Sequence, residues 1–211
     1  MGPRAMIKYF TYIAATTICV ALSAVPVWGA TKIAPPPPVE IERLNLDKDF
    51  YKKYVNTCLP VISSEKVSDA ALLEVSYLLD KIIGGRTDLI KALNKDGTRI
   101  VVMAYNEFTT DIPVSRKMDP DYWDMRARGI CGGNMVSCAE ENLLSLEGDP
   151  YFTESIFVHE LAHKIHDGAR RIDKTFDQRL RDIFDAGTKK ICRYNQFRRR
   201  QGRPTLHPAG R

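Results

Sequence analysis

The chain has 211 residues, of which 44% are hydrophobic and 27% are charged, as expected for one folded domain with its own core. Its 31 Lys and Arg exceed its 26 Asp and Glu, which gives a formal net charge of +5. Eight of the basic residues lie in residues 189–211, which contain no acid, so the rest of the chain has a net charge of −3. This distribution gives a general nucleic-acid-binding function little support, and we expect no specific nucleic-acid partner.

The N-terminus has the layout of a secretory signal peptide. Basic residues precede an apolar run at residues 9–27, and the small residues Gly29 and Ala30 follow it. This order predicts a signal peptide in residues 1–29 and a secreted protein. Polar residues and a proline interrupt the run, so we expect no stable membrane span after signal removal. An uncleaved N-terminal anchor is the alternative.

Two helices are predicted in the first half of the mature chain. The stretch "APPPPVE" at residues 34–40 is typical of an extended, Pro-rich segment, and it predicts a linker at residues 30–39. Ser68 then stands as N-cap before apolar residues at helical spacing, and Gly84 ends that pattern. A shorter helix is predicted from Thr87 to a turn at Asp96.

A strand and a long loop follow these helices. The β-branched run at residues 99–105 predicts a strand, and residues 106–135 are rich in Pro, Gly and Asp without a clear period. The segment "SCAEENLLSLEGDP" at residues 137–150 offers a second strand and a turn. The sequence therefore predicts an α+β domain at residues 40–188, followed by a disordered basic tail at residues 189–211.

Four cysteines remain once Cys19 leaves with the signal peptide. An even number of cysteines in an oxidising compartment favours disulfides. Cys131 and Cys138 flank a Gly-Gly-Asn turn, so their pairing is favoured, although four cysteines permit three connectivities. Buried free thiols are the alternative.

The stretch "FVHELAHKIHDGARRID" holds three of the four histidines of the chain. On a helix, an apolar side would carry Phe157, Val158, Leu161, Ala162 and Ile165, and the opposite side His159, Glu160, His163 and His166. Gly168 would end this helix. His159 and His163 are one turn apart, roughly 6 Å along the axis, so both can bind one metal ion. Glu160 would be the base for a metal-bound water. A surface helix that happens to carry His and Glu is the alternative.

The surrounding segment "RARGICGGNMVSCAEENLLSLEGDPYFTESIFVHELAHKIHD" resembles secreted, lethal-factor-like zincin metallopeptidases of the gluzincin type. The resemblance extends from about residue 39 to residue 187. It implies a zincin-like fold, in which a small twisted sheet packs on the histidine-bearing helix and an edge strand pairs with an extended peptide or protein substrate. It also implies that His159 and His163 bind Zn²⁺, that Glu160 is the catalytic base, and that the reaction is peptide-bond hydrolysis.

The third protein ligand that such a site uses is not evident. In that family a glutamate beyond the helix completes the site, whereas no glutamate follows Glu160 in this sequence. The tail differs from the family pattern and is interpreted as a truncated or replaced C-terminus. His166 lies roughly 10 Å along the axis from His159, too far to share its zinc. The remaining candidates are Asp167, Asp173, Asp177 and, more weakly, His207.

These observations leave two main functions open; a third, a basic peptide or nucleic-acid binder acting through residues 189–211, rests on the tail alone. The first is a secreted zinc-dependent peptidase. The second is a catalytically impaired homologue that lacks the third ligand and acts, if at all, as a binding protein. Because the family segment that carries the third ligand would also cover part of the core, its replacement should leave apolar surface near Phe176, Leu180 and Phe184 exposed.

Overall fold

The structure is a computed structural model that describes residues 32–200, with side chains up to residue 193. Within this range the chain forms an α+β domain with one six-stranded mixed sheet and seven α-helices. The α+β class predicted from the sequence is therefore confirmed. The predicted signal peptide, residues 1–29, and the last part of the basic tail, residues 201–211, lie outside the described residues.

The sheet combines parallel and antiparallel strands. Its strands are β1 (Ile33–Ala34), β2 (Lys53–Asn56), β3 (Pro60–Ser63), β4 (Arg99–Met103), β5 (Cys131–Gly132) and β6 (Met135–Ala139). They lie in the order β1-β2-β3-β4-β6-β5, with β3, β4 and β6 parallel to one another. The short strand β5 pairs antiparallel with β6 and forms one edge of the sheet.

The helices lie mostly between or after these strands. They are α1 (Pro38–Leu44), α2 (Asp69–Ile83), α3 (Thr87–Lys95), α4 (Pro120–Trp123), α5 (Glu140–Leu143), α6 (Ile156–Ile172) and α7 (Phe176–Arg200). Two short 3-10 helices lie at Thr109–Asp111 and Pro113–Ser115. Among these described helices, none combines the length and the apolar composition that crossing a bilayer requires.

Local signals in the sequence explain where the main helices begin and end. The Ser68 hydroxyl accepts a hydrogen bond from the Ala71 amide at 3.3 Å, and α2 ends before Gly84, as predicted. Gly97 adopts φ +71° in the turn after α3, a conformation that favours glycine. Ser155 caps α6 by accepting a hydrogen bond from the Val158 amide at 3.4 Å.

Apolar residues cover both faces of the sheet. One face packs against α2, α3 and α6, and alternate strand residues such as Ile100 and Val102 point towards these helices. The other face presents Tyr54, Ile62 and Val101 of the strands, which pack against Tyr51 and Ile112 from outside the sheet. The alternation along β4 is the two-residue period of a strand buried on both sides. Helix α6 packs on the face of Ile100 and Val102, where it contacts β6 and the edge strand β5.

Some segments are more ordered than the sequence predicted. Ile33 and Ala34 pair with β2 and α1 begins at Pro38, so the predicted linker at residues 30–39 belongs partly to the domain. The basic tail is helical as far as Arg200, because α7 continues through Lys189. In both cases backbone hydrogen bonds with neighbouring residues replace the extended or disordered chain that composition favoured.

The polar segments between β4 and α6 also contain short regular elements. The predicted long loop at residues 106–135 holds two 3-10 helices, α4 and β5, while residues 140–143 form a helix rather than part of a strand. The exposure predicted for α7 is confirmed, since Leu180 is 47% and Phe184 is 71% exposed. Phe176 is half-buried, because its ring packs 5.5 Å from that of His166.

Candidate metal centre

Helix α6 carries the histidine motif and is fixed to the sheet by one narrow face. Phe157, Leu161, Lys164 and Gly168 are buried, at spacings of four and three residues that place them on one stripe. Val158 is 40% exposed and Ala162 is also exposed. The prediction that these two lie on a buried apolar side was therefore wrong. The sheet and α3 cover a narrower stripe of the helix than the apolar pattern suggested.

Gly168 does not end this helix, as the sequence had suggested, because α6 continues to Ile172. A Cβ atom at Gly168 would lie only 2.5 Å from Cδ1 of Leu89 and 3.2 Å from Cδ2 of Leu93. Both leucines belong to α3. The glycine therefore permits α3 and α6 to approach each other closely, and this contact fixes the far end of the histidine helix.

His159 and His163 converge on the exposed side of α6. Their Nε2 atoms are 3.2 Å apart, and their ring centroids are 5.0 Å apart. Two imidazole nitrogens that each bind zinc at about 2.0–2.1 Å in tetrahedral geometry stand roughly 3.3 Å apart. The structure thus brings these two predicted ligands to the separation that a shared zinc ion requires.

Glu154 orients one of these imidazoles. Glu154 lies in the loop just before α6, and its Oε1 is 2.5 Å from Nδ1 of His159. A carboxylate in this position accepts a hydrogen bond from Nδ1–H, and this tautomer has its lone pair on Nε2, the atom that faces His163. Glu154 was not predicted from the sequence. Its signal was only a lone acidic residue five positions before a histidine, in a segment without periodicity.

Glu160 lies beside His159 at the wall of a cavity that we call the α6 cleft. Its volume is about 370 Å³. Its walls come from α4 and the loop that follows it, from the loop before α6, and from α6: Tyr122, Trp123, Arg126, Ala127, Arg128, Gly129, Ile130, Tyr151, Glu154, Ile156, His159 and Glu160. Glu160 is half-buried. The predicted base therefore faces a cavity next to the two predicted metal ligands.

Lys164 connects the histidine helix to the edge of the sheet. It is only 3% exposed, and its Nζ donates to the carbonyl oxygen of Gly133 at 2.5 Å. Gly133 lies in the turn between β5 and β6. The pairing of this ammonium with a backbone carbonyl positions the edge strand alongside α6. The helical pattern alone did not identify Lys164, because lysine is usually exposed.

Asn142 holds the beginning of α6 from the other side. Its Oδ1 accepts a hydrogen bond from the Ile156 amide at 2.8 Å, and its Nδ2 donates to Oδ2 of Asp149 at 2.8 Å. The same Nδ2 donates to the carbonyl oxygen of Glu154 at 2.9 Å. The buried side chain of Asn142 thus joins the loop that carries Glu154 to the first turn of the histidine helix.

The three aspartates considered as third ligand are engaged elsewhere. Asp177 accepts a hydrogen bond from Nε2 of His166 and forms an ion pair with Nε of Arg170, each at 2.8 Å. Asp173 accepts from Thr175 and Arg179, and Asp167 lies 4.0 Å from Lys164. Within residues 32–193, no group of three His, Cys, Asp or Glu side chains is placed to hold a metal ion. His207 lies outside the described residues.

The structure does not contain the predicted Cys131–Cys138 disulfide. Cys58, Cys131, Cys138 and Cys192 are all free thiols. Across the β5–β6 ladder, Cys131 stands opposite Val136, so Cys138 is its diagonal neighbour rather than its direct partner. Diagonal residues are roughly 7–8 Å apart, and cysteines with Cα atoms beyond about 7 Å cannot be bridged without backbone movement.

Comparisons with known proteins give no identity for this site. No family model matches the chain, and neither does any curated protein or solved structure. The zincin resemblance stated from the sequence therefore stays a prediction. The function of the site rests on the chemistry of its own side chains.

Proposed function

We propose that the protein is a secreted, zinc-dependent peptidase of the zincin type. The observation that carries the proposal is the 3.2 Å separation of the two Nε2 atoms of His159 and His163 on one helix. Glu154 supports it, because its contact with Nδ1 of His159 selects the tautomer that a metal ligand needs.

Zinc suits this donor set better than Mg²⁺ or Ca²⁺, since imidazole nitrogens favour zinc and other transition metals, while oxygen ligands favour the hard cations. When bound, zinc supplies a Lewis acid that polarises the scissile carbonyl and makes a water molecule more acidic. His159 and His163 would hold the metal through Nε2. Glu154 would keep His159 oriented, as carboxylates commonly do for metal-bound imidazoles.

Glu160 has the role of general base and then general acid. Its carboxylate accepts a proton from the attacking water while the water oxygen forms a bond to the carbonyl carbon of the substrate. The same carboxyl group then donates that proton to the amide nitrogen as the C–N bond breaks. The products are a carboxylic acid and an amine. Its half-buried position at the α6 cleft supports this role.

An extended peptide is the substrate class that the surroundings favour. The strand β5 is at the edge of the sheet, so one side of its backbone is free to pair with another strand. It also contacts α6, with Lys164 bonded to the adjoining turn. A peptide paired with β5 would therefore run along the histidine helix, next to the α6 cleft.

A second function is favoured by one observation: the described residues offer no third protein ligand beside His159 and His163. A site with two imidazoles holds zinc more weakly than a three-ligand site. The alternative is a catalytically impaired zincin homologue that binds peptides without cleaving them. Binding of a peptide without turnover in zinc-loaded protein would favour this alternative.

Replacement of the base tests the proposed peptidase. Glu160→Gln should keep bound zinc and lower hydrolysis of a generic fluorogenic peptide library by several orders of magnitude, since both proton transfers lose their carrier. Glu147→Gln is the matched control, because Glu147 is an exposed carboxylate that does not itself line the α6 cleft. Equal turnover by wild type and Glu160→Gln would refute the assignment of Glu160.

A further inference from the structure

Arg99, the first residue of β4, is a buried cation without an acidic partner. It is 9% exposed, and its Nε is buried without a hydrogen-bond acceptor. Among residues 32–193, no carboxylate lies within ion-pair distance of its guanidinium. All Asp and Glu of the sequence lie between Glu40 and Asp185, so none is left outside the described residues to pair with it.

A second donor beside this arginine is also unsatisfied. The hydroxyl of Tyr51 is buried without a partner, and the side chain is 3% exposed. Burial raises the pKa of Tyr51 to about 12, although the charge of Arg99 opposes that rise. The phenol is therefore a neutral donor at physiological pH. An arginine stays charged in a protein, and a buried charge without a counter-charge is strongly unfavourable.

Two adjoining cavities open next to Arg99, on the sheet face away from α6. Both are lined by Arg99, Val114 and Asn134. The larger cavity, about 510 Å³, is polar, and Arg43, Lys95 and Asp96 lie in its wall beside Arg99. Arg43 is already paired with Glu40, so Arg99 is the buried cation of this wall that lacks a carboxylate partner. The smaller cavity, about 400 Å³, has a mainly apolar wall that includes Met118, Ile130 and Met135. A polar wall and an apolar wall therefore meet at the unpaired guanidinium.

We propose that this second face of the sheet binds a small organic anion, and that its carboxylate contacts Arg99. A planar guanidinium binds a carboxylate through two parallel hydrogen bonds, which would satisfy its donors and offset its charge. The apolar part of the ligand would lie against Met118 and Ile130 in the smaller cavity. This site is separate from the histidines of α6, and the proposal does not depend on the peptidase function.

Calorimetric titration with three probes tests the ligand class: sodium acetate, sodium hexanoate and inorganic phosphate, at equal ionic strength. Hexanoate should bind most tightly, because it adds apolar contact to the same carboxylate interaction. Phosphate binding tighter than hexanoate would overturn the organic part of the proposal. Failure of wild-type protein to bind any of the three would overturn the site altogether.

Two substitutions locate the binding. Arg99→Met should weaken hexanoate binding about tenfold or more, since a charge-assisted contact is lost, and Asn134→Asp should weaken it by adding a negative charge to both cavities. Arg86→Met is the matched control, because Arg86 is exposed, pairs with Asp88 and lines neither cavity. If Arg99→Met does not fold, Asn134→Asp still tests the site, because Asn134 lines both cavities. Unchanged hexanoate affinity in Asn134→Asp, or in folded Arg99→Met, would overturn the site.

Discussion

Glu154 contacts His159 through Nδ1, and this contact leaves Nε2 of the same ring facing His163 at 3.2 Å. The pair is therefore more than two histidines on one exposed helix face. The carboxylate favours one tautomer of His159, and the two Nε2 atoms are spaced as a shared zinc ion requires. The zinc hypothesis gains its geometric support from a carboxylate outside the motif itself.

The role of Glu154 can be measured directly. Glu154→Ala should weaken zinc binding about 10–100-fold, because His159 loses the acceptor that fixes its ring. Competition with a chromogenic chelator gives the dissociation constant. Glu147→Ala should leave it unchanged, since that exposed carboxylate makes no contact with the histidines. Equal zinc affinity in wild type and Glu154→Ala would show that the contact does not orient a ligand.

Asn142 should matter for stability. Asn142→Ala would leave the buried Asp149 carboxylate and the Ile156 amide without this partner, so we expect a loss of about 2–4 kcal/mol in the free energy of unfolding. Urea denaturation measures this loss. Asn106→Ala is the control, because Asn106 is exposed. A loss no larger than that of the control would contradict the role given to Asn142.

The contacts of Asp177 in α7 with His166 and Arg170 in α6 should stabilise the fold less at acidic pH. The hydrogen bond from His166, followed by the charge of Arg170, holds the pKa of Asp177 below its usual value. A carboxyl group with a lowered pKa stabilises the fold above its ordinary value of about 3.9 and loses that effect as pH falls through the lowered pKa.

Asp177→Asn should therefore lower the thermal stability at pH 7, and its difference from wild type should shrink below about pH 4. Circular dichroism at several pH values follows this change. Asp185→Asn is a suitable control, as Asp185 is an exposed aspartate of α7 without a described ion pair. A difference that stays constant down to pH 2 would contradict the proposed coupling.

The cysteines should react with alkylating reagents in an order set by burial. Cys192 is exposed and should react first, while burial raises the pKa of the Cys138 thiol and should make it react last. Peptide mapping after timed alkylation measures this order. In denatured protein, where burial no longer protects Cys138, resistance of both Cys131 and Cys138 to alkylation until a reductant is added would contradict the free thiols.

The sequence predicted the elements that rest on local patterns. Ser68 and Gly84 mark the ends of α2, and the helical spacing around His159 and Glu160 identifies α6. The strands β2 and β3 were not predicted, because each has only four residues and too short a pattern to recognise.

The supporting residues of the candidate site were also missed. Glu154, Asn142 and Lys164 act through contacts with residues that no periodic pattern relates to them. Lys164, for example, contacts Gly133, which is 31 positions away in the sequence. Such contacts follow from the packing of α6 against the sheet, which single-sequence patterns do not specify.

Zinc binding to the purified protein tests the central claim most directly. Wild-type protein and Glu160→Gln should each bind one zinc ion per chain, and a mild chelator should remove it readily, because only two imidazoles hold it. The double variant His159→Ala/His163→Ala should bind no zinc at this site. Metal analysis after brief dialysis against zinc, with and without the chelator, measures all three proteins. Zinc bound by the double variant as tightly as by wild type would contradict the account.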